Sequence, residues 1–277
     1  MERFSHDGFT FDVREWAPAA RADEPRDTVV ALHGFPQTSA AWTQVATRLA
    51  DAGVRTLAPD QRGYSPGARP QDRSAYRMHH LVGDVVALLD AAGLDRVHLV
   101  GHDWGGGVAW AFALRHPERV ARLTVLSTPH TAAMQWATRH STQGLRSWYM
   151  AAFQLPVLPE AVLGRLLRGS GGRMGLPAEQ ERAYRDALAQ PGALTGAINW
   201  YRALAWQLKD SGGDPLVTCP TTYVWGRRDR YLGRAAAEKT EEYVDAPYRF
   251  VEIDADHWLP EKQPDEVAAA ILEPVTP

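Results

Sequence analysis

The chain has 277 residues, of which 45% are hydrophobic and 23% charged, with a formal net charge of -3. That is the composition of a soluble globular protein of one large domain, or one domain with an insertion. The near-neutral charge excludes a strong field for nucleic acid or anionic lipid, and the single cysteine, Cys219, excludes an internal disulfide.

The first residues, Met1 to Asp7, are polar, so neither a secretory leader nor an apolar anchor is expected there. No uncharged apolar run reaches the ~18 residues that span a membrane. The lone cysteine suits a reducing, cytoplasmic setting.

Residues 8–16 alternate as a half-exposed strand does, and Ala17 to Asp27 is a turn rich in Pro, Ala and charge. Thr28 to Leu32 is a short buried strand that ends at His33-Gly34. A helix over 40–50, a strand over 55–58 and a Gly/Pro/Arg-rich loop over 61–75 follow. Met78 to Ala92 is an amphipathic helix stopped by Gly93. A strand over 96–100 leads into Gly101-His102-Asp103-Trp104-Gly105, a helix continues over 108–115, and 122–126 is a further strand.

The rhythm then breaks. From Pro129 to Pro215 only helical stretches are expected, with a flexible turn at Gly169-Ser170-Gly171-Gly172. The rhythm resumes with a strand over 221–225, a helix over 234–244, a strand over 248–253 and a helix over 265–272. The expected fold class is α/β: a mainly parallel sheet covered by helices on both faces. Residues 1–128 and 216–277 form its core. Residues 129–215 are a helical lid, or cap, inserted at the carboxyl edge of the strands, where ligands bind in such sheets.

Gly-x-Asp-x-Gly between a strand and a helix has the form of a nucleophile elbow, with Asp103 in the place usually held by serine. A carboxylate is too good a leaving group to serve in acyl transfer. It is competent to displace a leaving group from an alkyl carbon, giving an enzyme ester that water must hydrolyse. Asp229 follows the strand at 221–225 and His257 the strand at 248–253, so nucleophile, acid and histidine come in the α/β-hydrolase order. Asp254 and Asp256 compete as the histidine's partner but are too near in sequence to sit behind its ring. The amides of Phe35, in His33-Gly34-Phe35-Pro36, and of Trp104 are the expected oxyanion-hole donors. The Asp60-Gln61-Arg62-Gly63-Tyr64 loop is expected to be structural. Tyr149 and Tyr201 in the helical block either donate protons to a leaving oxygen or simply pack. Its tryptophans either fill the core or wall an apolar pocket.

These residues, together with Asn199-Trp200-Tyr201-Arg202, resemble the α/β-hydrolase-fold epoxide hydrolases along almost the whole chain. The resemblance implies that Asp103 attacks an epoxide carbon while Tyr149 and Tyr201 hold and protonate the ring oxygen. His257, oriented by Asp229, would then activate water to release a vicinal diol. The substrate wall it suggests is Trp104, Trp148, Phe153, Trp200 and Trp258. The implied partners are a small apolar epoxide and water, without nucleic acid or membrane. A homodimer is compatible with it, and no cofactor or metal is implied. Gln37 departs from the pattern, where an acidic residue is expected after His-Gly-Phe-Pro. The alternative is a haloalkane dehalogenase, which uses the same Asp, Asp and His but needs donors to a halide. A fluoroacetate dehalogenase would need an arginine after the nucleophile, a serine esterase a serine elbow, and a non-catalytic binding protein none of these groups.

Overall fold

The computed structural model describes residues 1–18, 28–168, 174–207 and 216–275. The glycine cluster at 169–172 and most of the turn at 17–27 lie outside them. Eight strands form one sheet in the order β1-β2-β4-β3-β5-β6-β7-β8: β1 (Arg3–His6), β2 (Phe9–Trp16), β3 (Val29–Leu32), β4 (Thr56–Pro59), β5 (Val97–His102), β6 (Val120–Leu126), β7 (Thr221–Gly226) and β8 (Tyr248–Ile253). From β4 onward in that order every pairing is parallel, while β1 and β2 run antiparallel.

The central strands are apolar without a break because both faces are covered. All six residues of β5 are buried. Val97 and Leu99 point into the core under α2 (Met78–Ala91) and α3 (Trp104–Arg115), with Leu88, Trp110 and Phe112. Val100 points into the opposite core, with Trp42, Leu49 and Ile271, against α1 (Thr43–Asp51) and a C-terminal helix over Pro264–Leu272.

Between β6 and β7 the described residues hold α4 (Thr131–His140), α5 (Gln143–Arg146), α6 (Trp148–Ala152), α7 (Leu158–Arg168), α8 (Ala178–Ala189), α9 (Ala193–Arg202) and α10 (Leu204–Gln207). After β7 come α11 (Arg234–Lys239), α12 (Leu259–Lys262) and α13 (Pro264–Leu272). The sequence reading differs in detail. It lacks β1, which pairs with β2 through the Asp7-Gly8 turn, where both residues have positive φ, the geometry that Asp-Gly supplies in tight hairpins. The helix expected to continue from the elbow over 108–115 begins at Trp104, directly after Asp103, and ends at Arg115. The sequence reading also merges α11 with the 3-10 turn at Thr240–Tyr243.

Candidate active site

Asp103 occupies the one-residue corner between β5 and α3, with φ 51° and ψ -122°. Such a conformation costs a non-glycine residue about 1–3 kcal/mol and persists only where its surroundings enforce it. Three glycines do so by letting backbone close in. A Cβ on Gly101 would lie 2.4 Å from the Gly105 carbonyl oxygen, and one on Gly105 would lie 2.2 Å from that of Leu32. A Cβ on Gly34 would lie 2.3 Å from Cβ of Asp103 itself. Thr128 Oγ1 donates to the Asp103 carbonyl at 2.6 Å, and the Phe35 amide donates to Oδ1 of its carboxylate at 2.7 Å. Trp104 is the first residue of α3, so the carboxylate stands at the positive end of that helix.

Asp229 and His257 arrive from the ends of β7 and β8. His257 Nδ1 donates to Asp229 Oδ2 at 2.7 Å, and the amides of Tyr231 and Leu232 donate to Asp229 Oδ1 at 2.7 and 3.0 Å. This fixes the acid, and the acid fixes the ring. His257 Nε2 then lies 3.6 Å from Asp103 Oδ2. Burial opposes charge on His257, but the two flanking carboxylates hold its pKa well above the usual histidine value. Burial likewise opposes charge on Asp103. The His257 hydrogen bond and charge, the His102 charge and the Phe35 amide outweigh it and lower that pKa. Neither rival acid is engaged with His257: Asp254 pairs with Arg227 and Arg228, and Asp256 with Lys262.

The helical block faces these charges with rings. Tyr201 on α9 and Tyr149 on α6 have centroids 6.0 Å apart. Phe153, Trp104 and Phe35 meet Tyr201 edge-on at 4.8, 5.0 and 5.4 Å. Burial, reinforced by the Asp103 charge, raises the pKa of both phenols, so both remain hydroxyl donors. Arg202 pins this side by pairing with Glu160 and donating to the Phe153 and Leu155 carbonyls.

Asp103, His257, Tyr149, Tyr201, Phe35, Trp148, Phe153 and Trp258 all line one cavity of about 610 Å³. Trp148 stands at its mouth, 70% exposed. Two residues of the expected wall do not line it. Trp200 is buried behind, donating its indole N–H to the Arg62 carbonyl at 2.8 Å. The Trp104 ring is wedged between Trp200 and Tyr201.

The structure also adds residues. Tyr231 lines the cavity with its ring 5.1 Å from that of His257; its place two residues after Asp229 is the signal in the sequence. Gln37, out of pattern, accepts from the Gly34 amide and donates to Glu261 Oε1 at 2.7 Å. Tyr184 of α8 donates to the same oxygen at 2.8 Å. His102 bridges Gln37 Oε1 and the His257 carbonyl, at 2.8 Å from each. Gln37 thus links the glycine loop under Asp103 to a buried carboxyl, whose pKa burial raises. The Asp60 loop is tied down around it: Asp60 accepts from the Ser39 amide and Arg62 pairs with Asp84.

A family profile described as the alpha/beta hydrolase fold matches residues 27–264. Epoxide hydrolase A of Mycobacterium tuberculosis is 35% identical, with 92% of each chain covered. The AB hydrolase superfamily protein YfhM of Bacillus subtilis is 37% identical, covering 96% of this chain and 94% of that one. Among solved structures, epoxide hydrolase A from Mycobacterium thermoresistibile superposes with a TM-score of 0.80 at 28% identity, covering 97% of this chain and 95% of that one. One described among novel epoxide hydrolases in metagenomes from hot environments gives 0.83 at 29%, covering 97% and 96%.

Proposed function

Because the chain belongs to the epoxide hydrolases of the α/β-hydrolase fold, we propose that it opens an epoxide to a vicinal diol through an ester on Asp103. The observation that carries this reading is one cavity in which an elbow carboxylate faces two neutral tyrosine hydroxyls, with a carboxylate-backed histidine beside it.

The chemistry balances on these groups. An Asp103 carboxylate oxygen bonds to a ring carbon as the C–O bond breaks. The ring oxygen takes a proton from the tyrosines, replenished from the His257 imidazolium. A strained ether needs this help, because a bare alkoxide leaves poorly. Esterification removes the negative charge facing His257 Nε2, so the elevated pKa of the ring falls and it becomes a base. It takes a proton from water, and the hydroxide adds to the ester carbonyl. The oxyanion is stabilised by the Phe35 amide, with the Trp104 amide as its partner. Collapse restores the Asp103 carboxylate and the imidazolium and releases the diol, with one water consumed.

The block from 129 to 215 serves as the cap that supplies the acid and closes the apolar wall. A haloalkane dehalogenase would need indole N–H groups turned into the cavity; that of Trp104, the candidate beside Asp103, donates to the Tyr201 hydroxyl, and that of Trp200 is spent on the Arg62 carbonyl.

The test is diol formation from aryl and alkyl epoxides beside halide release from haloalkanes, with Asp103→Asn as control. Diol from the wild type and none from the variant is expected. Halide without diol would overturn the reading.

A further inference from the structure

The cavity is divided in its chemistry. Its polar side chains gather about Asp103: His257 at 3.6 Å, Tyr231 stacked edge-on to His257, and Tyr149 between Tyr231 and Tyr201. The far wall is hydrocarbon, built by Val162, Leu163, Leu166 and Leu167 of α7, Leu188 of α8 and Leu194 of α9. Among the described lining residues there is no Lys, Arg or Glu.

Helix α7 presents Leu158, Val162 and Leu166 along one stripe at helical spacing. They line the cavity, yet they are 54%, 50% and 47% exposed. Contiguous apolar surface left this open marks a binding surface. The stripe runs for about 12 Å at 1.5 Å per residue. A volume of about 610 Å³ holds on the order of 20 groups the size of a water, at about 30 Å³ each, far more than a three-membered ring requires.

We propose that the substrate carries its epoxide on a long, unbranched hydrocarbon chain, with the ring held at Asp103 and the chain laid along the Leu158–Val162–Leu166 stripe. This rests on the epoxide reading above. A polar chain fits poorly, since each oxygen pressed against these leucines would lose its water without gaining a partner.

The test is kcat/KM for straight-chain terminal epoxides from epoxybutane to epoxydodecane, beside glycidyl ethers bearing oxyethylene chains of matched length. For the wild type, kcat/KM should rise about threefold to fourfold per methylene and level off once the chain spans α7. The oxyethylene series should lag behind. In V162D/L166D the advantage of epoxydodecane over epoxybutane should shrink by roughly tenfold or more. Both positions are half-exposed, so the variant should fold, which its melting midpoint checks. Binding of dodecanediol and butanediol, measured by calorimetry, probes the groove without turnover.

A flat series in an active enzyme, or a slope unchanged in the double variant, overturns the chain proposal and leaves the epoxide reading standing. So does a dimer that buries the stripe together with a flat series. Tight dodecanediol binding with no epoxide turned over sustains the groove and sinks the epoxide reading.

Discussion

The two halves of the cavity are held in place by different forces. On the sheet side, Asp103, Asp229 and His257 are fixed by hydrogen bonds to backbone and to one another, at 2.7 Å for the contacts that set the carboxylates. Close-packed glycines leave no room for a shift. On the helical side, Tyr149 and Tyr201 are placed by the edges of other rings. Hydrogen bonds to charge are strong and directional, whereas ring packing is broad in angle and tolerant of repacking. The half that must hold charges to fractions of an ångström is built on strand ends. The half that presents neutral hydroxyls and an apolar wall is built on short helices.

The sharpest way to break this division is His257→Gln. Steady turnover should fall by up to about 10⁴-fold, the upper end for loss of a general base, yet attack by Asp103 should survive, so intact mass should show the enzyme plus one substrate. An unmodified enzyme after incubation with a good epoxide would mean the sheet side does not divide the reaction as described.

Tyr201→Phe should cost less, about 10²-fold, and only in ester formation. Single-turnover traces should show slow alkylation and unchanged hydrolysis. An effect on both steps would show that the helical half positions more than a proton.

Asp229→Asn tests the electrostatics. The paired carboxylates raise the His257 pKa above its ordinary value, so their stabilisation is fully present below that value and is lost as pH rises through the elevated one. Removing one charge lowers the folded pKa. The decline in stability should therefore still begin near the ordinary histidine value but end at lower pH and be smaller in total, and the acidic limb of ester hydrolysis should move down. Melting midpoints and single-turnover rates across pH would show both shifts.

The smallest effects concern stability. Gly105→Ala puts a Cβ against the Leu32 carbonyl and should cost about 1–3 kcal/mol. Trp148→Ala, at an exposed position of the helical half, should stay within about 0.5 kcal/mol. Equal losses in denaturant melts would erase the contrast.

The same contrast explains what the sequence made legible. Asp103 stands out because a strand, a one-residue corner and a helix require glycines two residues either side. Asp229 and His257 stand out because strand ends converge whatever the length of chain between them. The helical half has no such rule. Tyr201 is recognisable within Asn199-Trp200-Tyr201-Arg202, but nothing local tells that Trp200 turns away to the Arg62 carbonyl. The Gln37–Glu261 bond joins residues 224 positions apart, and only folding brings them together. β1 escaped notice because four residues carry too little alternation, although Asp7-Gly8 marked its turn.

The helical block leaves the sheet after β6 and returns at β7, and these strands are parallel neighbours in register from Leu123↔Thr221 to Leu126↔Val224. The sheet therefore closes beneath the insertion whatever the insertion contains. For descent by recombination, the seam is already cut. A crossover at the two strand ends would exchange both tyrosines and the hydrocarbon wall as one inherited cassette while leaving Asp103 and His257 untouched. The ties across the seam would have to travel with it or be rebuilt, among them Gln143 to the Tyr231 carbonyl, Arg146 to the Asp229 carbonyl, Tyr184 to Glu261, Arg69 to Gln190 and Trp200 to the Arg62 carbonyl. On the function proposed above, a lineage that trades this cassette would change its proton donors and its choice of substrate in a single event.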